Sequence, residues 1–152
     1  MPAELQKETF SEILGDTLKE ACSMELVQTV HSELREMIEE HKVNKEIEPL
    51  VITQRTMRTM LTACGVEGER VEAFAERCAE EFGEDAALAP RNLIEAKKFE
   101  VTTADVTIKV DPDKSELIET RVIDGTPYIM VRADGGVEVN GVRIQIENEE
   151  ND

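Results

Sequence analysis

The spacing of apolar residues changes period near Phe99. Before it, apolar side chains recur every three or four positions, as on one face of a helix; after it they alternate with polar ones between tight-turn signals, as in strands. Phe10, Ile13, Leu14 and Leu18 form the first stripe, and Thr9 with Glu12 has the spacing of a capping box. The pattern predicts a first helix of about three turns, opening at Thr9 and weakened at Gly15 and Cys22-Ser23. From Ser23, the residues Leu26, Val27, Val30, Leu34, Met37 and Ile38 repeat against a background of Glu33, Glu36, Glu39 and Glu40. This second helix closes near His41 or Lys42, where cations suit the C-terminal dipole. Lys45 to Pro49 reads as a connector and Leu50 to Ile52 as a short extended stretch. Thr53 then caps a helix with Met57, Met60, Leu61 and Cys64 inward, ended by Gly65. Val71, Phe74, Ala75, Cys78 and Phe82 mark a further helix closed by Gly83, so the pair forms a helical hairpin or a helix-turn-helix.

Ala86 to Asn92 is a small-residue loop containing Pro90, and strand signals begin at Phe99 and Val101. Val106, Ile108 and Val110 alternate with Thr107 and Lys109, and Asp111-Pro112-Asp113 turns the chain. Leu117 to Ile123 forms the next strand, and Asp124-Gly125 signals a hairpin before Tyr128 to Val131. After Gly135-Gly136, Val137 and Val139 face Val142, Ile144 and Ile146 across Asn140-Gly141, the strongest short hairpin signal in the chain. The expected fold is α+β: about four N-terminal helices, then a mainly antiparallel sheet of about five short strands with helices on one face. We expect a helical subdomain over residues 1–90, an antiparallel β subdomain over 91–146 packed on it, and a disordered acidic tail over 147–152.

Charge narrows the partners. Thirty-four acidic residues against seventeen basic ones give a net charge of −17 over 152 residues. Both halves share it: up to Ala96 there are twenty-one acids against ten bases, and after it thirteen against seven. A field of that sign repels nucleic acid and anionic membranes, whose binding rests on Lys and Arg. The helical hairpin makes the point locally, because its second helix offers only Arg70 and Arg77 among many carboxylates; Arg55 and Arg58 read as ion-pair partners for this acidic neighbour. No apolar run approaches the length of about 18 residues that a membrane span requires, and the N-terminal residues lack a basic stretch followed by an apolar one. A cytoplasmic protein is expected, with neither nucleic acid nor membrane as partner.

Candidate chemistry is sparse. Cys22, Cys64 and Cys78 are odd in number, lack CxxC spacing and sit within helical patterns, so they read as free apolar thiols. Asp111-Pro112-Asp113-Lys114-Ser115 begins with the D-x-D-x-S spacing of a calcium loop, which makes Asp111 and Asp113 the only metal candidates. The template then fails, with Glu116 where Gly is required and Val122 where a bidentate Glu is required. A structural turn is the favoured reading, and no metal is expected. His31 borders the apolar stripe of the second helix and reads as a half-buried helix-flank residue rather than a general base; His41 is a helix-end residue. Neither a phosphate-cradling glycine loop nor a nucleophile elbow occurs, so no catalytic residue, cofactor site or cofactor is expected.

Several segments taken together carry a resemblance: Gly65-Val66-Glu67 with Ala79 to Glu84, Lys98 to Val101, Asp105 to Val110, Glu119 to Gly125 and Val137 to Gly141. They resemble the C-terminal region of an uncharacterised bacterial family, a domain of unknown function in Gram-positive anaerobes, over roughly Thr9 to Ile146. Members of that family are longer, so the resemblance implies a fragment whose N-terminal region is missing, and it supplies no catalytic residue. The expected function is a non-enzymatic protein-interaction or assembly module that meets a protein partner or a second copy, forming the C-terminal part of a larger cytoplasmic protein. Its candidate edge is Val142, Ile144 and Ile146, open to strand addition. Met24, Met37, Met57, Met60 and Met130 could line an adaptable surface, although helical spacing favours the core for them. The alternative is part of an enzyme completed by a missing region or another subunit, for which Glu119, Arg121 and Asp124 are the first residues of interest.

Overall fold

In the computed structural model, residues 1–45 and 47–147 are described. Four helices come first, α1 (Ala3–Leu18), α2 (Met24–Val43), α3 (Gln54–Ala63) and α4 (Gly68–Phe82). Six strands follow, β1 (Phe99–Thr102), β2 (Thr107–Val110), β3 (Ile118–Ile123), β4 (Thr126–Val131), β5 (Val137–Val139) and β6 (Val142–Ile144). The fold is α+β, as the change of period predicts. Two differences are instructive. Helix α1 opens at Ala3 after Pro2, not at a Thr9 capping box. Ala3, Glu4, Leu5, Gln6 and Lys7 are all strong helix formers, and Pro2 sits extended at the N-cap, so nothing delays the helix until Thr9. The strands number six rather than about five, and among the described residues they pair as three separate antiparallel hairpins rather than one sheet: β1 with β2, β3 with β4, β5 with β6.

The remaining helix limits follow the sequence signals. Ser23 Oγ accepts from the Leu26 N–H at 3.1 Å and caps α2, and the Thr53 hydroxyl accepts from the Thr56 N–H to cap α3. The turns Asp124-Gly125 and Asn140-Gly141 hold both central residues at positive φ (50° and 81°, 50° and 82°), the type I′ geometry whose twist matches the flanking strands. The two hairpins therefore have fixed registers, with Ile123 opposite Thr126 and Val139 opposite Val142.

The chain divides into two compact units, Met1–Ser115 and the segment from Glu116 on. The first holds the core. Phe10, Ile13, Leu18, Leu34, Leu61 and Phe74 are almost wholly buried, and the Phe10 and Phe74 rings meet edge to face at 6.0 Å, joining α1 to α4. Ile52 and Leu88 exchange both backbone hydrogen bonds, at 2.7 and 2.9 Å, and so tie the stretch before α3 to the loop after α4. The second unit contrasts with this, because Ile118 is its one buried residue among those described. Asn148 to Asp152, most of the expected disordered tail, lie outside the described residues, as does Glu46 of the connector.

Candidate functional site

Helix α2 presents three polar side chains along one flank. Gln28 Nε2 donates to the Ser115 carbonyl at 2.7 Å, His31 Nε2 lies 2.7 Å from the Glu95 carbonyl, and Arg35 Nε donates to the Ala96 carbonyl at 3.0 Å. Residues 28, 31 and 35 share a face at helical spacing, so a single rigid element clamps two loops. The bond to a carbonyl requires the His31 proton on Nε2, and its ring also stands edge to face with Phe99 at 5.5 Å. These contacts give His31 the structural role of a helix-flank residue. His41 is held in the same way, with Nε2 at 2.7 Å from the Glu48 carbonyl.

The same clamp reaches Asp111 and Asp113. Arg35 Nη1 pairs with Asp113 Oδ1 at 3.1 Å, and Asp111 Oδ1 accepts the Asp113 N–H at 2.9 Å in a turn that the Lys114 N–H closes on the Asp111 carbonyl. One carboxylate thus faces a guanidinium and the other its own backbone. Among the described residues no three His, Cys, Asp or Glu side chains gather as a metal site would need. Arg35→Ala should cost about 1–3 kcal/mol, because it leaves the Ala96 carbonyl and Asp113 without their charged donor. Urea unfolding measures this, with Asp113→Asn losing less because the bond to Ala96 remains.

A groove of about 260 Å³ lies between α1, α2 and the segment from Leu93 to Glu100, floored by Phe10, Leu14 and Val30. The cations on its rim are already matched. Lys7 faces Glu95 at 3.8 Å, and Lys98 bonds Glu100 at 3.0 Å, a hydrogen bond and charge that hold Glu100 below the usual carboxylate range. An anionic ligand would have to displace a carboxylate from each lysine, so the groove favours apolar contact over charge recognition.

The cysteines are separate free thiols, half-buried at Cys22 and Cys64 and buried at Cys78. Burial raises the pKa of each, Cys78 to about 12, the reverse of what a reactive thiolate requires. Arg58 pairs with Glu72 across the α3–α4 hairpin at 3.2 Å, one of the two ion-pair partners expected from the sequence. Met57 and Met60 are buried in the core, while Met24, Met37 and Met130 are half-buried. Glu119 and Arg121 pair with each other at 3.2 Å on the surface of β3, and Asp124 occupies the adjoining turn.

The strand edges are what the second unit offers. Val142, Ile144 and Ile146 are 64%, 38% and 71% exposed. In the β5–β6 register Val137, Val139, Val142 and Ile144 share one face, with Glu138 and Arg143 on the other. On β3–β4 one face carries Ile118, Thr120, Val122, Pro127, Ile129 and Val131. Each hairpin is thus apolar on one side, and among the described residues each outer strand edge has no neighbouring strand.

The family model described as Domain of unknown function (DUF4317) matches residues 1–142. The chain belongs to this family. No match was found among curated proteins or among solved structures. The stretch that places the chain in the DUF4317 family takes in both units through Val142, so the α2 clamp, the groove and the whole β3–β4 hairpin fall inside it, while Ile144 and Ile146 lie past it. Among the described residues of this DUF4317 chain, no helix is long and apolar enough to cross a membrane.

Sequence reasoning missed the α2 clamp and the groove. Gln28, His31 and Arg35 at i, i+3 and i+7 beside an apolar stripe were the available signal. Their acceptors are main-chain carbonyls 87, 64 and 61 residues away, which no side-chain pattern marks.

Proposed function

We propose that this DUF4317 chain is a non-enzymatic protein-interaction module whose docking part is the pair of hairpins over residues 116–146. One observation carries the reading. Seven large apolar side chains, Val122, Ile123, Tyr128, Val131, Val139, Val142 and Ile144, stand exposed on these two-stranded sheets and Ile146 follows them, and Ile118 is the one buried residue described in that unit, whereas the helical unit, although it too exposes residues such as Leu5 and Val27, has a continuous buried core. Two-stranded hairpins are marginal alone, and a further strand added at an edge stabilises them. Strand addition supplies affinity through main-chain hydrogen bonds, and the alternating apolar side chains of Val142, Ile144 and Ile146 supply specificity. The net charge of −17 sets protein above nucleic acid or an anionic membrane as the partner and fits the cytoplasm. The resemblance to the C-terminal region of longer bacterial proteins supports placing the module at the end of a larger polypeptide.

Photo-crosslinking tests the reading. A benzophenone amino acid at Tyr128 or Ile144 of the full chain, activated in cells, should give discrete protein adducts, while the same group at Glu69 on α4 should give none. Adducts from Glu69 alone, or from no position, would remove the hairpins as the docking part.

A further inference from the structure

The phase of the β3–β4 ladder determines which main-chain groups a partner can reach. The Arg132 N–H donates to the Leu117 carbonyl at 2.8 Å, which makes that pair a hydrogen-bonded one. Alternation along the antiparallel register then makes Glu119–Met130, Arg121–Tyr128 and Ile123–Thr126 inward-bonded pairs. The N–H and C=O groups of the residues between them point away from the hairpin: on β4 these are Pro127, Ile129 and Val131. Beyond β3, the register gives β4 no second strand among the described residues.

Strand β4 also differs in composition. Its sequence, Thr-Pro-Tyr-Ile-Met-Val, contains no charge, whereas β1 carries Glu100, β2 Lys109, β3 Glu119 and Arg121, β5 Glu138 and β6 Arg143. Exposed edges are ordinarily guarded by charge, and Pro127 is the only such guard on β4. Tyr128 and Val131 are 48% and 51% exposed.

From this edge we infer that β4 is a self-pairing strand, and that its partner is β4 of a second copy of the chain, joined antiparallel about a two-fold axis through Ile129. The inference rests on the interaction-module reading and names its partner. Three features of the register support it. Ile129 faces Ile129 of the second copy with their outward N–H and C=O groups matched, and Pro127 faces Val131, losing only the donor that proline lacks. Tyr128 faces Met130 in the closer, non-hydrogen-bonded position, twice by symmetry, an aromatic–thioether pair. From Pro127 to Val131 the opposed residues carry no charge, which matters for two molecules of net charge −17; the first flanking charge is Arg132, which stands opposite the neutral Thr126 of the other copy. Pairing turns a two-stranded sheet into a four-stranded one and is isologous, so it closes at the dimer.

Light scattering after size exclusion, over a concentration series of the full chain, tests the inference. The expected mass is twice the 17.1 kDa of one chain, with association strengthened by added salt as charge repulsion is screened. Ile129→Lys sets two ammonium groups head to head on the axis and should weaken association by about tenfold or more. Tyr128→Glu should weaken it too, while remaining compatible with the hairpin, where its neighbour on β3 is Arg121. Adding Met130→Lys to Tyr128→Glu places the introduced carboxylate of one copy opposite the introduced ammonium of the other, and sets that ammonium beside Glu119 within the hairpin. The double variant should therefore recover the dimer, an outcome that a folding defect would not produce. A monomer at every concentration and salt overturns self-pairing and leaves the interaction reading to the crosslinking experiment. A dimer indifferent to Ile129→Lys, or not recovered in the double variant, overturns the register.

Discussion

Phe74→Ala should lower the stability of the helical unit by roughly 3–5 kcal/mol, among the largest effects expected of a single truncation in the chain. Phe74 is 1% exposed, and its ring meets Phe10 edge to face at 6.0 Å, so the substitution removes both the transfer free energy of the ring and the contact that joins α4 to α1. The site is poorly able to collapse. Met57, Cys78 and Leu88 already border a small void beside Phe74, and α4 is held at its start by the Arg70 bond to the Leu18 carbonyl at 2.8 Å. Urea unfolding followed by helical circular dichroism gives the number. Phe74→Leu, which retains most of the volume, should lose less than half as much. A loss below about 1 kcal/mol for Phe74→Ala would mean that the α1–α4 contact is peripheral to stability.

Local chemistry made much of the fold legible. Ser23 and Thr53 are caps in the structure because a short hydroxyl before an apolar repeat has an orphan N–H within reach, and Asp124-Gly125 and Asn140-Gly141 are turns because both positions require positive φ. What stayed hidden depends on non-local geometry. Alternation predicts strands and two-residue turns predict hairpins, but nothing in a strand's sequence says whether its outer edge meets another hairpin. One expected sheet is therefore three. Among the candidate site residues, Val142, Ile144 and Ile146 were legible as alternating apolar positions after a turn. The β4 edge was not, because the direction of its main-chain groups follows from the phase of the ladder rather than from residue type. Asp113 is a related case: the sequence favoured a structural turn there over a cation loop, but it held no sign that the carboxylate faces Arg35, 78 residues away in sequence.

Stability should fall as pH rises from 9 towards 12, and Cys78 should account for much of the slope. An unfolded cysteine has a pKa of 9.0, whereas burial in the folded state raises Cys78 to about 12. Between those values the unfolded chain has released the thiol proton and the folded chain has kept it. The unfolded state therefore binds fewer protons, and the free energy of unfolding decreases with pH. Below pH 9 both states hold the proton and the contribution to the slope vanishes. The interval from 9.0 to about 12 corresponds to an upper bound of about 4 kcal/mol, reached only near pH 12. Cys22 and Cys64 are raised in the same direction by burial, with Glu33 adding to the rise at Cys64, so they contribute with the same sign. Urea midpoints measured from pH 7 to 11 on the parent and on Cys78→Ala isolate the effect. Loss of the buried sulfur lowers stability below pH 9, where the thiol is protonated in both states, while the proton linkage appears in the slope above pH 9, which should flatten in the variant. Equal slopes in the two proteins would mean that Cys78 ionises in the folded state as readily as in the unfolded one, and that its burial imposes no cost on the thiolate.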